Sequence, residues 1–398
     1  MRTRLFWGAA AAIAYTYGLF PALVLARARL RPRPHRTADV TPSLSIIIAA
    51  RNEVDAIGAK LENVLSLDYP KARRQIVVAS DGSDDGTNEV VRDDEERGVR
   101  LLRRSREGKA PALNAAVAAA TGEILVFTDA NSIFAPEALR AIVSPFADPA
   151  VGGVAGDQRY LSTDGVDSIA AGELRYWDLD RMLKAAESRA GNVISATGAI
   201  YAIRRELFDT VPDGVTDDFV TSTGVIARGY RLVFAPTAVA WEPVAETGAL
   251  EFDRKVRVIT RGLRSVLVRR ALLNPFRHGF YAVQLFSHKV LRRMMVLPLM
   301  VIAVTSPFLW RRGRLYRAAT VIQLALYGAG ATGALLRDRP IARRRPFVVA
   351  TFFCFVNLAS VKAIWNLVRG HRIDRWEPRR ANPTRTDASP KENVPDAR

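Results

Sequence analysis

Three short apolar runs, each rich in β-branched residues, end in polar clusters. Ser45-Ile46-Ile47-Ile48-Ala49 leads to Arg51-Asn52-Glu53, and Gln75-Ile76-Val77-Val78-Ala79 leads to Asp81-Gly82-Ser83. Glu123-Ile124-Leu125-Val126-Phe127 leads to Asp129-Ala130-Asn131. The runs do not alternate with polar residues, so they predict strands buried on both faces, as in a parallel sheet. Ligands of open α/β sheets bind beyond the carboxyl ends of the strands, and these clusters stand there. Helical stretches fill the gaps. Asp84 or Asp85 can cap a helix ending at Gly98, and Lys109 to Ala120 is an Ala-rich helix closed by Gly122. A further helix starts near Asp218 and closes at Gly229, and Arg231 to Ala235 returns as a strand.

Longer apolar stretches flank this pattern. Leu5 to Leu25 carries no charge and is long enough to span a bilayer. Arg2 and Arg4 precede it as in a signal peptide, but the run exceeds a usual signal core, which favours an uncleaved anchor. Phe252, Val256, Ile259, Leu263 and Val266 recur at helical spacing, with Arg254, Lys255, Arg257, Arg261 and Arg264 opposite. That is a basic amphipathic helix suited to a membrane surface. Three apolar segments follow: Met294 to Trp310, Ala318 to Leu336, and Pro346 to about Val368, where Lys362 can snorkel. The division is an anchor over 1–29, a basic linker over 30–41, an α/β domain over 42–250, interface helices over 251–290, about three membrane helices over 291–368, and a polar, partly disordered tail over 369–398.

Charge sharpens this reading. The formal net charge is +18, and the excess clusters beside apolar segments: Arg27 to Arg36, Lys289 to Arg293, Arg311 to Arg314, and Arg343 to Arg345. Such placement favours membrane flanking and contact with anionic lipid over nucleic-acid binding, since no nucleic-acid recognition motif accompanies it. Cys354 is the single cysteine, so no disulfide can form within the chain and no cysteine metal cluster exists. Four histidines make a histidine-based metal site a poor expectation. Charge after the anchor places the domain in the cytoplasm at the cell membrane. Three spans after it would put the C-terminus outside, against Arg369, Arg372, Arg375, Arg379 and Arg380. Either one C-terminal segment is re-entrant or interfacial, or the charge rule fails.

From Pro42-Ser43-Leu44 through Ala50-Arg51-Asn52-Glu53 the chain resembles the family 2 glycosyltransferases. The likeness is to their integral-membrane branch of cellulose, chitin, hyaluronan and poly-N-acetylglucosamine synthases. Asp81-Gly82-Ser83-Asp84-Asp85-Gly86-Thr87, Gly108-Lys109-Ala110-Pro111-Ala112-Leu113-Asn114, Asp129-Ala130-Asn131, Ala196-Thr197-Gly198-Ala199 and Thr216-Asp217-Asp218 extend it. Each motif alone is weak; their order and spacing are specific. The resemblance implies an α/β GT-A fold, Rossmann-like with a mostly parallel sheet. It also implies a UDP-sugar donor and inverting transfer.

Residue by residue, it implies that Ala49, Arg51, Glu53, Asp81, Lys109, Asp129 and Arg257 bind the nucleotide sugar. Asp81 can accept from the uracil N3–H, or serve only as a turn aspartate. Lys109, at a helix start where cations are disfavoured, can hold a phosphate. Asp129 and Asn131 stand at the family's metal motif, where Mg²⁺ or Mn²⁺ would offset diphosphate charge. Asn131 departs from it by bringing an amide oxygen without charge. Asp218 inherits the base that takes the acceptor hydroxyl's proton. One of Asp217 and Asp218 is expected to cap the helix. Thr197, Gly198 and Asp217 border the acceptor. Arg257 keeps the arginine of a Gln-x-x-Arg-Trp motif whose other places hold Arg254 and Val258, which argues against long-chain processive synthesis. The expectation is a membrane-bound inverting glycosyltransferase acting on a lipid or glycan. The alternatives are a processive polysaccharide synthase exporting its product, and a non-catalytic nucleotide-binding scaffold. Sugar, linkage and partner subunits are not legible.

Overall fold

A computed structural model describes residues 1–161, 180–243, 248–337 and 339–371. The sheet strands are β1 Leu44–Ala50, β2 Arg74–Asp81, β3 Val99–Arg104, β4 Ile124–Asp129, β5 Ile133–Phe134, β6 Val151–Leu161, β7 Tyr201–Arg204 and β8 Arg231–Pro243. They form one sheet in the order β3-β2-β1-β4-β7-β6-β8-β5. β3, β2, β1 and β4 run parallel, as do β6 and β8, while β7 and β5 are antiparallel to their neighbours.

The continuous apolar runs are explained by two cores, one on each face. Leu44, Ile46 and Ile48 of β1 pack with Ile57, Leu61 and Val64 of helix α1, Val54–Ser66. Ile47 and Ala49 pack on the other side with Ala112, Leu113 and Ala116 of helix α2, Lys109–Ala118. Each isoleucine so placed contributes about 1.5–3 kcal/mol. Boundaries move slightly from the sequence expectation. The helix expected to reach Gly98 ends at Asp93, followed by a 3₁₀ turn over Glu95–Arg97. Asp85 accepts from the Thr87 amide at 3.0 Å, beside Gly86 at the helix start. The strand expected over Arg231 to Ala235 continues to Pro243.

The N-terminal helix Arg2–Leu30 is long and apolar enough to cross a membrane, as are Arg314–Leu335 and Arg345–Val368. The expected segment Met294 to Trp310 differs. Val296–Phe308 has 13 residues, about 20 Å of helix and short of a bilayer core of about 30 Å. It adjoins Phe280–Met294 at a 50° bend, a broken span or a re-entrant loop. Helix 180–190 receives Phe20, Val24 and Ala28 of the N-terminal helix on Leu183, Ala186 and Ala190.

Two expected features take a more specific form. Residues of the basic linker lie bonded along the domain: the Arg231 guanidinium donates to the carbonyls of Arg33 and Pro34, and the Arg33 amide donates to Arg189 O. The amphipathic helix Gly248–Val268 turns Val256 onto Ala359 and Ala363 of Arg345–Val368, and Val266 into the domain core. Much of its apolar face is therefore filled by protein. The expected C-terminal tail from residue 372 lies outside the described residues.

Candidate functional site

Strand register brings the polar clusters together. Ala49 is level with Ala79 on one side and Asp129 on the other, and Asp81 ends β2. Asp81 is 1% exposed. Its Oδ1 accepts from the Glu107 and Gly108 amides at 2.7 and 2.9 Å. Its Oδ2 is buried without a hydrogen-bond partner. The loop closes tightly because Gly82 adopts φ +61° with Arg106 backbone 3.0 Å from where a Cβ would stand. Arg51 is buried and donates to Asp81 O at 3.4 Å, so it braces this pocket. Glu53 is buried, and its amide donates to Thr87 Oγ1 at 2.8 Å.

Lys109 is the hinge of the constellation. Its Nζ lies 2.9 Å from Asp129 Oδ1 and 3.1 Å from Asp217 Oδ2. Burial works against its charge, but Asp129 and Asp217 outweigh it and raise its pKa. Helix α3, Asp217–Ala227, carries Asp217 and Asp218 in its first turn. Neither acid caps it: the cap position is Thr216, whose side chain makes no capping bond. Asp218 Oδ1 instead accepts from the Phe219 amide at 2.6 Å. Burial and the Asp217 carboxylate push Asp218 up to about 7, against the pull of Lys109 and Lys289. A carboxyl poised there is suited to proton transfer near neutral pH.

Gly198 lies directly against this group. A Cβ on it would meet Asp129 Oδ2 at 2.6 Å, so a larger residue there would displace the Asp129 carboxylate or the loop. Thr197 Oγ1 is buried with no hydrogen-bond partner. Asn131 is part-exposed beside Asp129. Among the described residues no three His, Cys, Asp or Glu side chains gather as a metal cage. Asp129 and Asn131 together offer one carboxylate and one amide oxygen, a donor set that suits a cation carried in by phosphate oxygens rather than one held by protein alone. Arg257 is carried by the helix Gly248–Val268.

Sequence reasoning missed several members. Ser265 Oγ accepts from the Thr216 amide at 2.8 Å and so fixes the entry to α3. Glu242 accepts from Ser132 Oγ at 2.8 Å and from Gln158 Nε2 at 2.6 Å, and its pKa is raised by burial and by Asp129. Lys60 is fully buried beneath the Asp129 loop, where burial lowers its pKa to about 7 while Asp129 and Glu242 resist. Its signal was present: Ile57, Lys60, Leu61 and Val64 share one apolar helix face.

Residues 42–277 match the family described as glycosyltransferase like family 2. Poly-beta-1,6-N-acetyl-D-glucosamine synthase of Staphylococcus aureus is 28% identical over 250 residues, 61% of this chain and 60% of that protein. The Staphylococcus epidermidis synthase is 26% identical over 235 residues, 57% of this chain and 56% of that protein. The chain thus spans about three fifths of these relatives. A solved structure of the mannosyltransferase PcManGT from Pyrobaculum calidifontis, in complex with GDP-Man and Mn²⁺, superposes with a TM-score of 0.67 at 27% identity. That match covers 92% of this chain and 99% of the mannosyltransferase. With a family match over more than half its length and a GT-A-like sheet, the chain belongs to the glycosyltransferase like family 2.

Proposed function

We propose that this chain transfers a sugar from a nucleoside diphosphate sugar to a hydroxyl of a lipid or glycan acceptor, with Asp218 as the base. The carrying observation is the junction of Lys109 with Asp129 and Asp217, next to an Asp218 held near neutral pKa. Asp81, with one buried carboxylate oxygen unpartnered, supports a site for a base N–H of the nucleotide. Asp129, aided by Asn131, would hold Mg²⁺ or Mn²⁺, which when bound offsets the charge growing on the diphosphate. Lys109 adds a fixed positive charge beside the same phosphates. Asp218 accepts the acceptor proton as its oxygen attacks the anomeric carbon, and an activated leaving group needs no second protein acid. Transfer with inversion follows from this single displacement. Arg257 is assigned to the diphosphate on its motif position alone.

The uridine reading of Asp81 sets UDP-sugars first among donors. A second reading, GDP-mannose, is favoured by the near full-length match to the mannosyltransferase. Val258, 49% exposed where processive synthases carry tryptophan, supports transfer of single sugars over polymer synthesis. We place the domain on the cytoplasmic face of the cell membrane. The bent pair starts beside the domain, where Tyr281 donates to Ile194 O. It ends near the start of the N-terminal helix, where Arg312 reaches Thr3 Oγ1 at 3.3 Å and Trp7 reaches Tyr316 OH at 3.1 Å. That course supports a broken crossing rather than a return to the same side.

The test is turnover of UDP- and GDP-sugars by detergent-purified chain with membrane lipid, with and without Mn²⁺, beside Asp218→Asn. Release of one nucleoside diphosphate, dependent on metal and lost in the variant, is expected. Turnover that survives Asp218→Asn undiminished removes the base assignment. Nucleotide binding without turnover of any donor favours the scaffold reading.

A further inference from the structure

We propose that Lys60 is a positioning residue for the Asp129 loop, an inference that rests on Asp129 binding the metal–diphosphate group. Lys60 is 0% exposed on the inner face of α1. Its Nζ donates to Thr128 Oγ1 at 2.8 Å and to Ser132 O at 2.6 Å, and lies 3.8 Å from the centroid of the Phe134 ring. No carboxylate lies within ion-pairing distance of it among the described residues. Burying an amine in this way is unfavourable in either protonation state, and a leucine or methionine would fill the same helix face without that cost. The amine must therefore obtain something that packing does not.

What it obtains is a tie across a short loop. Thr128 and Ser132 bracket Asp129, Ala130 and Asn131, and Lys60 holds both ends from below. By donating to Thr128 Oγ1, Lys60 leaves the hydroxyl proton to point elsewhere, and Thr128 donates it to Ala199 O at 2.8 Å. The loop bearing Asp129 is thus joined to the loop bearing Thr197 and Gly198. At the other end Ser132 donates to Glu242, which also accepts from Gln158. The three residues between the clamped ends have little freedom left. Preorganisation of this kind sets how well a ligating carboxylate meets its ion, and outer residues of metal sites commonly change affinity by about 10- to 100-fold.

The experiment compares Lys60→Met, Thr128→Val and Thr128→Ser with the parent chain, purified in detergent. Mn²⁺ binding in the presence of UDP or GDP is followed by electron paramagnetic resonance of the free ion, and folding by thermal unfolding. Lys60→Met and Thr128→Val are expected to weaken Mn²⁺ binding about tenfold or more, while Thr128→Ser, which keeps the hydroxyl, stays close to the parent. A lower Tm with unchanged Mn²⁺ affinity overturns the proposal by reducing Lys60 to a structural group. Tighter Mn²⁺ binding in Lys60→Met also overturns it, since the lysine would then act only as a repelling charge. If Lys60→Met does not fold, Thr128→Val decides alone. A parent chain that binds no Mn²⁺ with either nucleotide removes the metal reading itself, a result separable from failure of the clamp.

Discussion

Gly198→Ala is the most sharply defined perturbation of this site. Gly198 lies outside the left-handed backbone region, so alanine is conformationally permitted and the effect is steric. The new methyl carbon would sit 2.6 Å from Asp129 Oδ2, about 0.8 Å inside the 3.4 Å of ordinary contact. The carboxylate or the Thr197–Ala199 loop must yield by that amount. A shift of that size directed away from Lys109 would stretch the 2.9 Å bond of Asp129 Oδ1 beyond hydrogen-bonding range. Misplacement of a reacting group by about 1 Å costs roughly 100-fold in rate, so kcat is expected to fall about 30- to 100-fold. Overpacking should lower stability by about 1–3 kcal/mol. Donor turnover, the Mn²⁺ concentration for half-maximal rate, and thermal unfolding would be measured together. Gly58→Ala is the control: its methyl would lie 3.6 Å from Val90 Cγ1, in ordinary contact on α1. It should gain about 1 kcal/mol of stability at unchanged rate. Parent-like kcat and metal dependence in a folded Gly198→Ala protein would refute the placement of this loop against Asp129.

Three further outcomes follow from the same geometry. Lys109→Met removes a charge that holds the Asp218 pKa down, so the rise of kcat/KM with pH should move from about 7 to higher pH, with activity at neutral pH falling about tenfold per unit moved; an unmoved profile would separate Lys109 from the base. Asp218→Asn should raise Tm above pH 7, because a carboxyl whose folded pKa is raised costs stability once ionised. That gain should shrink as pH falls from about 7 towards the ordinary carboxylate range, and equal gains at pH 4 and pH 8 would contradict it. Asp81→Asn should weaken nucleotide binding by about 1.5–3 kcal/mol, as expected for hydrogen bonds to a charged group, read by calorimetry with UDP and GDP.

The parallel core was legible because β1, β2 and β4 are covered on both faces, which forces uninterrupted apolar runs. β6 was not, since Gly152, Gly153 and Gly156 interrupt its pattern and Asp157-Gln158-Arg159 gives it a polar end. β7 has only 4 residues and takes its meaning from pairing between β4 and β6. Asp81, Asp129 and Asp218 could be picked out because each closes a strand or opens a helix, positions where the fold delivers side chains to one crevice. Lys60 and Glu242 follow the opposite logic. Their types suggest surface; Lys60 is betrayed only by sharing the apolar face of Ile57, Leu61 and Val64, and Glu242 only by its tertiary contacts with Ser132 and Gln158. The bend after Met294 was also hidden, because hydropathy records apolar length and not direction.

Arg231 does for the whole domain what a fastener does for a strap. A slack chain the length of the segment between the N-terminal helix and β1 would let its ends wander over roughly 20 Å. Here the guanidinium grips the carbonyls of Arg33, Pro34, Ser188 and Gly191 at once. The domain is thereby held at one standoff from the N-terminal helix. On the proposed function, an acceptor would be gauged by its reach as well as its chemistry: a hydroxyl carried at the wrong distance from the apolar helices would not meet Asp218, however well its sugar or headgroup fits.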